Sequence, residues 1–300
     1  MAMTFSIVAV DTEEEEIGFA IASCTWNAGS VGTAKAELGA ICSQAQGYYP
    51  FHRIFYESLQ ENMSLEQILE EFKRMDEGIE NRQVGMVSFS GETLAFTGEN
   101  ADDWAGHRIG KNYACQGNIL TGSDVLENMS RAFEESEGEL VKRLYTALQA
   151  GDDTGGDIRG KMSAIVLVKK KGCGLDDTYF DFNVEDHDEP VREIGRLLRV
   201  FRKIYNAYLK QNAVSKAETE EAKIQALRDM DEYLSDKVDK TVVDYHSFVA
   251  STSIGLGLHE RAVAAYKRVL KISPKLMGPI RNEGERGKIP ADVLDAIFET

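Results

Sequence analysis

Thr4-Phe5-Ser6-Ile7-Val8-Ala9-Val10 and Ile17-Gly18-Phe19-Ala20-Ile21-Ala22-Ser23 are two short apolar runs separated by the polar turn Asp11–Glu16. Both alternate in part, which predicts a β-hairpin. Gly18, Ala20 and Ala22 fall on one side of the second strand, so another element is expected to pack closely there.

Strand-like and helix-like patterns alternate outward from this hairpin over the first two hundred residues. Strands are predicted at Gly39–Gln44, Tyr113–Gln116, Met162–Lys169 and Thr178–Val184. Gln83–Ser88 and Thr93–Phe96 flank Ser90-Gly91-Glu92, a hairpin signal. Phe51–Leu59 reads as helix. Ser64 and Gln67 form a capping box for a helix to about Met75, with Leu65, Ile68, Leu69 and Phe72 on one face. Further helices are predicted at Ser123–Glu135, capped by Ser123 or Asp124, and at Glu137–Ala150. A long helix opens near Pro190. Gln211–Lys216 reads as a polar break that separates a first domain, 1–210, from a helical region, 211–300. That region holds Ala217–Tyr233, Thr241–Ile254 and Glu260–Ile272. Ala262, Tyr266 and Pro274 have the spacing of the second helix of a tetratricopeptide-like pair, in a single degenerate copy with His246 and Ala250 at its first-helix positions.

Asp and Glu total 50 against 34 Lys and Arg, a net charge of −16. Such a surface repels phosphate backbones and anionic lipids, so nucleic-acid and membrane partners are not expected. The longest aliphatic run, Ala164–Val168, is far below the roughly 20 residues of a membrane helix. With no secretory pattern at the start and four scattered cysteines (Cys24, Cys42, Cys115 and Cys173), a cytoplasmic protein with free thiols is expected. No cofactor or metal is expected, since no phosphate loop, dinucleotide fingerprint or ligand spacing is present. Asp186-His187-Asp188 and Asp102-Asp103 with His107 lack convincing metal-ligand spacing.

Six ordered segments exceed what core building requires. They are Thr4–Ala9, Ala22-Ser23, Ala105-Gly106-His107-Arg108-Ile109-Gly110, Gln116-Gly117-Asn118-Ile119-Leu120-Thr121-Gly122, Gly155-Gly156-Asp157-Ile158-Arg159-Gly160 and Phe182–Pro190. In this order the chain resembles the family called domain of unknown function 1028, over about residues 3–205. The resemblance implies an α+β fold, a four-layer αββα sandwich like that of the N-terminal-nucleophile (Ntn) hydrolases, followed here by the all-α C-terminal region. The sequence departs from the family pattern at Met162, where Gln is usual, at Ser43-Gln44, and in the turn Asp11–Glu16.

Thr4 matches the family's leading threonine. A threonine at a chain terminus carries its own base, because an α-amine of pKa about 7.7–8.0 is roughly a fifth to a third unprotonated near pH 7.4. Met1-Ala2-Met3 precede Thr4. Natural initiation at Met3 followed by methionine removal is favoured over self-cleavage at Met3–Thr4. The expected function is therefore an Ntn-type amidohydrolase acting on a small amide. The alternative is a non-catalytic Ntn-like scaffold whose C-terminal helices dock a protein partner. A homo-oligomer is expected. Thr4, Ser23 and Asn118 are the candidate catalytic residues, with Ser23 bonding the Thr4 amine and Asn118 donating to an oxyanion. Ser6, Ser43, Gln116, Asp157 and Arg159 are candidates for substrate binding. Asp157 and Arg159 read equally as a pair bracing a Gly-rich loop.

Overall fold

The computed structural model describes residues 4–102 and 104–299. These divide into two compact units, the first ending at Leu197 and the second starting at Leu198.

The first unit is built on two antiparallel sheets. Its strands are β1 (Thr4–Asp11), β2 (Glu16–Ser23), β3 (Gly32–Lys35), β4 (Gly39–Ala45), β5 (Arg82–Ser88), β6 (Thr93–Thr97), β7 (Gly106–Gly110), β8 (Tyr113–Gly117), β9 (Ser163–Lys170) and β10 (Thr178–Val184). One sheet has the order β10-β9-β2-β1-β8-β7 and the other β3-β4-β5-β6. The predicted hairpin is β1–β2, with Thr4 opposite Ser23 and Asp11 opposite Glu16. The sheets face one another, β1 against β4 and β5, and β8 against β5. Helices α1 (Pro50–Gln60) and α2 (Leu65–Met75) pack on the smaller sheet, and α3 (Asp124–Glu135) and α4 (Leu140–Asp153) on the larger.

Strand alternation explains this arrangement. On β1, Val8 and Val10 join Ile17, Phe19 and Ile21 of β2, Ala40 and Cys42 of β4 and Val87 of β5 in one buried cluster between the sheets. The intervening positions face the helices, and α4 packs on β2. Ile41, Val84 and Met86 turn to the opposite side, where they meet Phe51, Phe55 and Phe72 of α1 and α2. The capping box of α2 is present: Ser64 accepts from the Gln67 N–H and Gln67 from the Ser64 N–H. At α3 the expectation is corrected, because the Ser123 side chain caps nothing. The edge strands β3 and β7 were not predicted. Each is short, and β7 (Gly-His-Arg-Ile-Gly) is half polar.

Residues Gln211–Lys216 are not a break. They are the last turns of α5 (Pro190–Lys216), a helix that begins in the first unit and ends in the second. Its Ala207 and Val214 are buried with the second unit's core, which explains why a polar-looking stretch stays helical. That unit continues with α6 (Glu220–Leu234), α7 (Val243–Gly255), α8 (His259–Ile272), α9 (Met277–Glu285) and α10 (Ala291–Phe298). The α7–α8 hairpin packs through Val249, Ala250, Ala262, Ala265 and Tyr266. His246 is buried, with Nε2 2.8 Å from the Lys237 carbonyl oxygen and Nδ1 accepting from Arg268. Asp231 of α6 holds Arg261 and Arg268 of α8. Among the described residues no helix is long and apolar enough to cross a membrane.

His52 on α1 supplies a test of packing in the first unit. Its Nδ1 lies 2.9 Å from Thr33 Oγ1, and burial pushes its pKa down from 6.5 to about 4. The unfolded chain therefore takes up the proton first. Stability should be flat above pH 6.5, fall as the pH drops towards 4, and level off below it, with this residue accounting for at most about 3 kcal/mol. Denaturant titrations across this range should show a shallower decline in a His52→Gln variant.

Candidate functional site

Followed along each strand, the inter-sheet face changes from apolar at one end to polar at the other. On β1 the inward residues run Val10, Val8, Ser6, Thr4; on β2, Ile17, Phe19, Ile21, Ser23. β4 gives Ala40, Cys42, Gln44 and β5 gives Val87, Gly85, Gln83, while β8 contributes Ala114 and then Gln116, with Asn118 just beyond. The register brings the polar members together: Thr4 opposite Ser23, Ser6 opposite Gln116, and Gln44 opposite Gln83. Thr4, Ser6, Ser23, Gln44, Gln83 and Gln116 are all 0% exposed and Asn118 is 1% exposed. Polar groups this deep must be hydrogen-bonded or carry a cost of about 1–3 kcal/mol each.

They are bonded, in one network. The two hydrogens of Gln83 Nε2 are shared among three acceptors, the main-chain oxygens of Gly106 (3.0 Å) and Gly117 (2.8 Å) and Thr97 Oγ1 (2.9 Å). Gln83 Oε1 accepts from Gln44 Nε2 (2.8 Å) and Asn118 Nδ2 (3.0 Å). Gln44 Nε2 also donates to the Thr4 carbonyl oxygen (3.1 Å), which accepts a second bond from the Asn118 N–H (3.1 Å). Ser6 Oγ donates to Gln44 Oε1 (2.6 Å) and accepts from Gln116 Nε2 (2.7 Å). The Thr4 hydroxyl lies 3.3 Å from Ser23 Oγ, which in turn accepts from Thr25 Oγ1 at 3.0 Å. The outer end of the network reaches solvent through Thr97 Oγ1, 2.9 Å from Nδ1 of the exposed His107. Partial desolvation of the ring by its neighbours holds the His107 pKa below its ordinary value. Burial also pushes the Cys42 thiol, beside Ser6, up to about 12, so it stays protonated and is no competing nucleophile.

The structure thus brings Thr4, Ser23, Asn118, Ser6 and Gln116 together. Ser43 is not among them. Alternation turns it to the other side of β4, where its Oγ accepts the Tyr48 N–H (3.1 Å), and its neighbour Gln44 joins the network instead. Asp157 is bound by Arg159, Nε to Oδ1 at 3.0 Å and Nη2 to Oδ2 at 2.6 Å. The same carboxylate accepts the Arg159 N–H, and Asp157 bridges to Leu120, so the pair braces the Gly-rich loop. Met1–Met3, whose removal would free the Thr4 amine, lie outside the described residues, as does Asp103. Gln83, Thr97 and Gly85 were missed. The available signal was an inward-facing Gln at the same end of three strands, Gln44, Gln83 and Gln116.

The model of a family of unknown function, DUF1028, matches residues 4–194. The chain belongs to the DUF1028 family. A solved structure, protein SPO2555 from Silicibacter pomeroyi, whose description carries DUF1028, is 26% identical. It aligns over 66% of this chain and 88% of its own, with a TM-score of 0.60. No curated protein matches the chain. The DUF1028 match begins at Thr4, the residue whose carbonyl Gln44 and Asn118 hold.

Gln83 is the hub, so its loss should exceed that of any partner. Gln83→Leu strands the Gly106 and Gly117 carbonyls and two side-chain amides, and should cost about 3 kcal/mol or more in urea unfolding. Thr97→Val, at the solvent end, should cost about 1 kcal/mol.

Proposed function

We propose that the first unit is a four-layer αββα sandwich of the Ntn-hydrolase kind, and that it hydrolyses a small amide through Thr4 once the chain begins at that residue. The observation that carries this reading is the setting of Thr4. It opens a central strand, its carbonyl is held by two donors, and its hydroxyl lies beside Ser23 at the polar end of the interior. Rigid placement of a nucleophile on a strand start favours a defined attack geometry.

The network also suits an amine base. It is built of hydroxyls and carboxamides, with His107 only at its solvent end. An amine freed in such buried, neutral surroundings is driven towards its unprotonated form, below the usual 7.7–8.0. In the proposed reaction the Thr4 Oγ–H proton passes to the amine as Oγ bonds to the substrate carbonyl carbon. Collapse of the tetrahedral adduct breaks the C–N bond, and the amine returns the proton to the departing nitrogen. Water then attacks the acyl–Oγ ester and gives its proton to the amine. The acid leaves as Oγ is reprotonated. Trp26, Tyr49 and Ile158 are each about two-thirds exposed, on loops after β2, after β4 and before β9, at this end of the sandwich. They favour a substrate with an apolar substituent.

A chain with Met1–Met3 removed should be labelled by a β-lactone at Thr4, read as an added mass on the N-terminal peptide. The unprocessed chain and Thr4→Ala should show no label. Hydrolysis should rise with pH through the amine's titration and plateau near pH 8. Labelling that is equal in Thr4→Ala would refute the assignment.

A further inference from the structure

The hydrogen bonds fix the direction of every carboxamide in the network. Two main-chain carbonyls, of Gly106 and Gly117, can only accept, so the Gln83 atom between them is nitrogen and its other atom is oxygen. That oxygen accepts from Asn118, which sets the Asn118 nitrogen against Gln83 and turns its oxygen away. The Thr4 carbonyl sets Gln44 in the same manner, and Ser6 passes the direction on to Gln116. Among the described residues, two buried oxygens of this network are left without a partner, Gln116 Oε1 and Asn118 Oδ1.

They differ in surroundings. Gln116 Oε1 is laid against the main chain of Gly85, where an added Cβ would come within 2.0 Å of it, so it belongs to the packing of β8 on β5. Asn118 follows the last residue of β8 at the polar end, and its main chain is bonded to Thr4. An orphan acceptor 1% exposed, on the residue paired with the proposed nucleophile, is a recognition element for a donor.

We infer that Asn118 Oδ1 accepts a hydrogen bond from an N–H of the substrate, which makes the site selective for carboxamides that keep a hydrogen on nitrogen over N,N-dialkyl amides and esters. This rests on the reading of Thr4 as nucleophile only for turnover; the selectivity is a property of binding. It gives Asn118 an acceptor role through Oδ1 beside its donor role, since one hydrogen of its amide nitrogen is bound to Gln83 and the other is not used there. A site built to take an N–H leaves a buried oxygen unpaired when the ligand lacks one, and that difference discriminates about tenfold or more.

The test uses the processed chain carrying Thr4→Ala, so that no turnover intervenes. The probes are benzamide, N-methylbenzamide, N,N-dimethylbenzamide and methyl benzoate, with dissociation constants read by ligand-observed NMR. Benzamide and N-methylbenzamide should bind about tenfold more tightly than the dimethyl amide and the ester. That preference should fall to near unity in Asn118→Leu and in Asn118→Ser, whose hydroxyl is too short to replace the amide oxygen. A preference that is absent in the parent, or that survives both variants, overturns the inference. β-Lactone labelling separates the two readings. Labelled Thr4 with no N–H preference sinks only the role of Asn118. An Asn118-dependent preference in a chain that never labels leaves a binding site for carboxamides and removes the nucleophile.

Discussion

Two main-chain carbonyls, those of Gly106 and Gly117, decide the chemistry at the polar end of the first unit. A carbonyl has no proton to give, so both face the nitrogen of Gln83 and fix which end of that side chain is which. The decision passes through Gln44, Asn118, Ser6 and Gln116 without a charged residue. In a medium of low dielectric such a chain of bonds strengthens when every member is satisfied and is costly when one is lost. The network therefore serves as the rigid frame that holds the Thr4 carbonyl.

The frame lies inside a sandwich whose interior changes character along its length. At one end Val10, Ile17, Phe19 and Val87 give the usual apolar contact between sheets. At the other, the same inward positions carry Thr, Ser and Gln. Burial of apolar surface stabilises the sandwich at roughly 25 cal/mol per Å². The polar end adds little of that. Its contribution is specific geometry, and it depends on the apolar end to keep the sheets together.

Much of this was legible in the sequence. The β1–β2 hairpin, strands β9 and β10, and the helices from Phe51 to Ala150 follow from alternation, helical spacing and a capping box. The edge strands β3 and β7 escaped because β3 is four residues long and β7 is half polar, and an edge needs only one partner to form. Gln211–Lys216 was misread because composition marks solvent exposure, while Val214 is a single buried contact that keeps α5 going. At the site, the sequence marked the residues on β1, β2 and β8. It missed Gln83, whose importance comes from two carbonyls on distant strands. It placed Ser43 in the site where Gln44 belongs, a one-residue difference that reverses the face of a strand.

At Gly85 the Gln116 carboxamide spans from β8 to the bare main chain of β5. Any side chain at position 85 would collide with that amide. Gln116 over Gly85 therefore forms a floor, two residues in from Asn118 along β8. That floor lies about two residues of strand, roughly 7 Å, below Asn118.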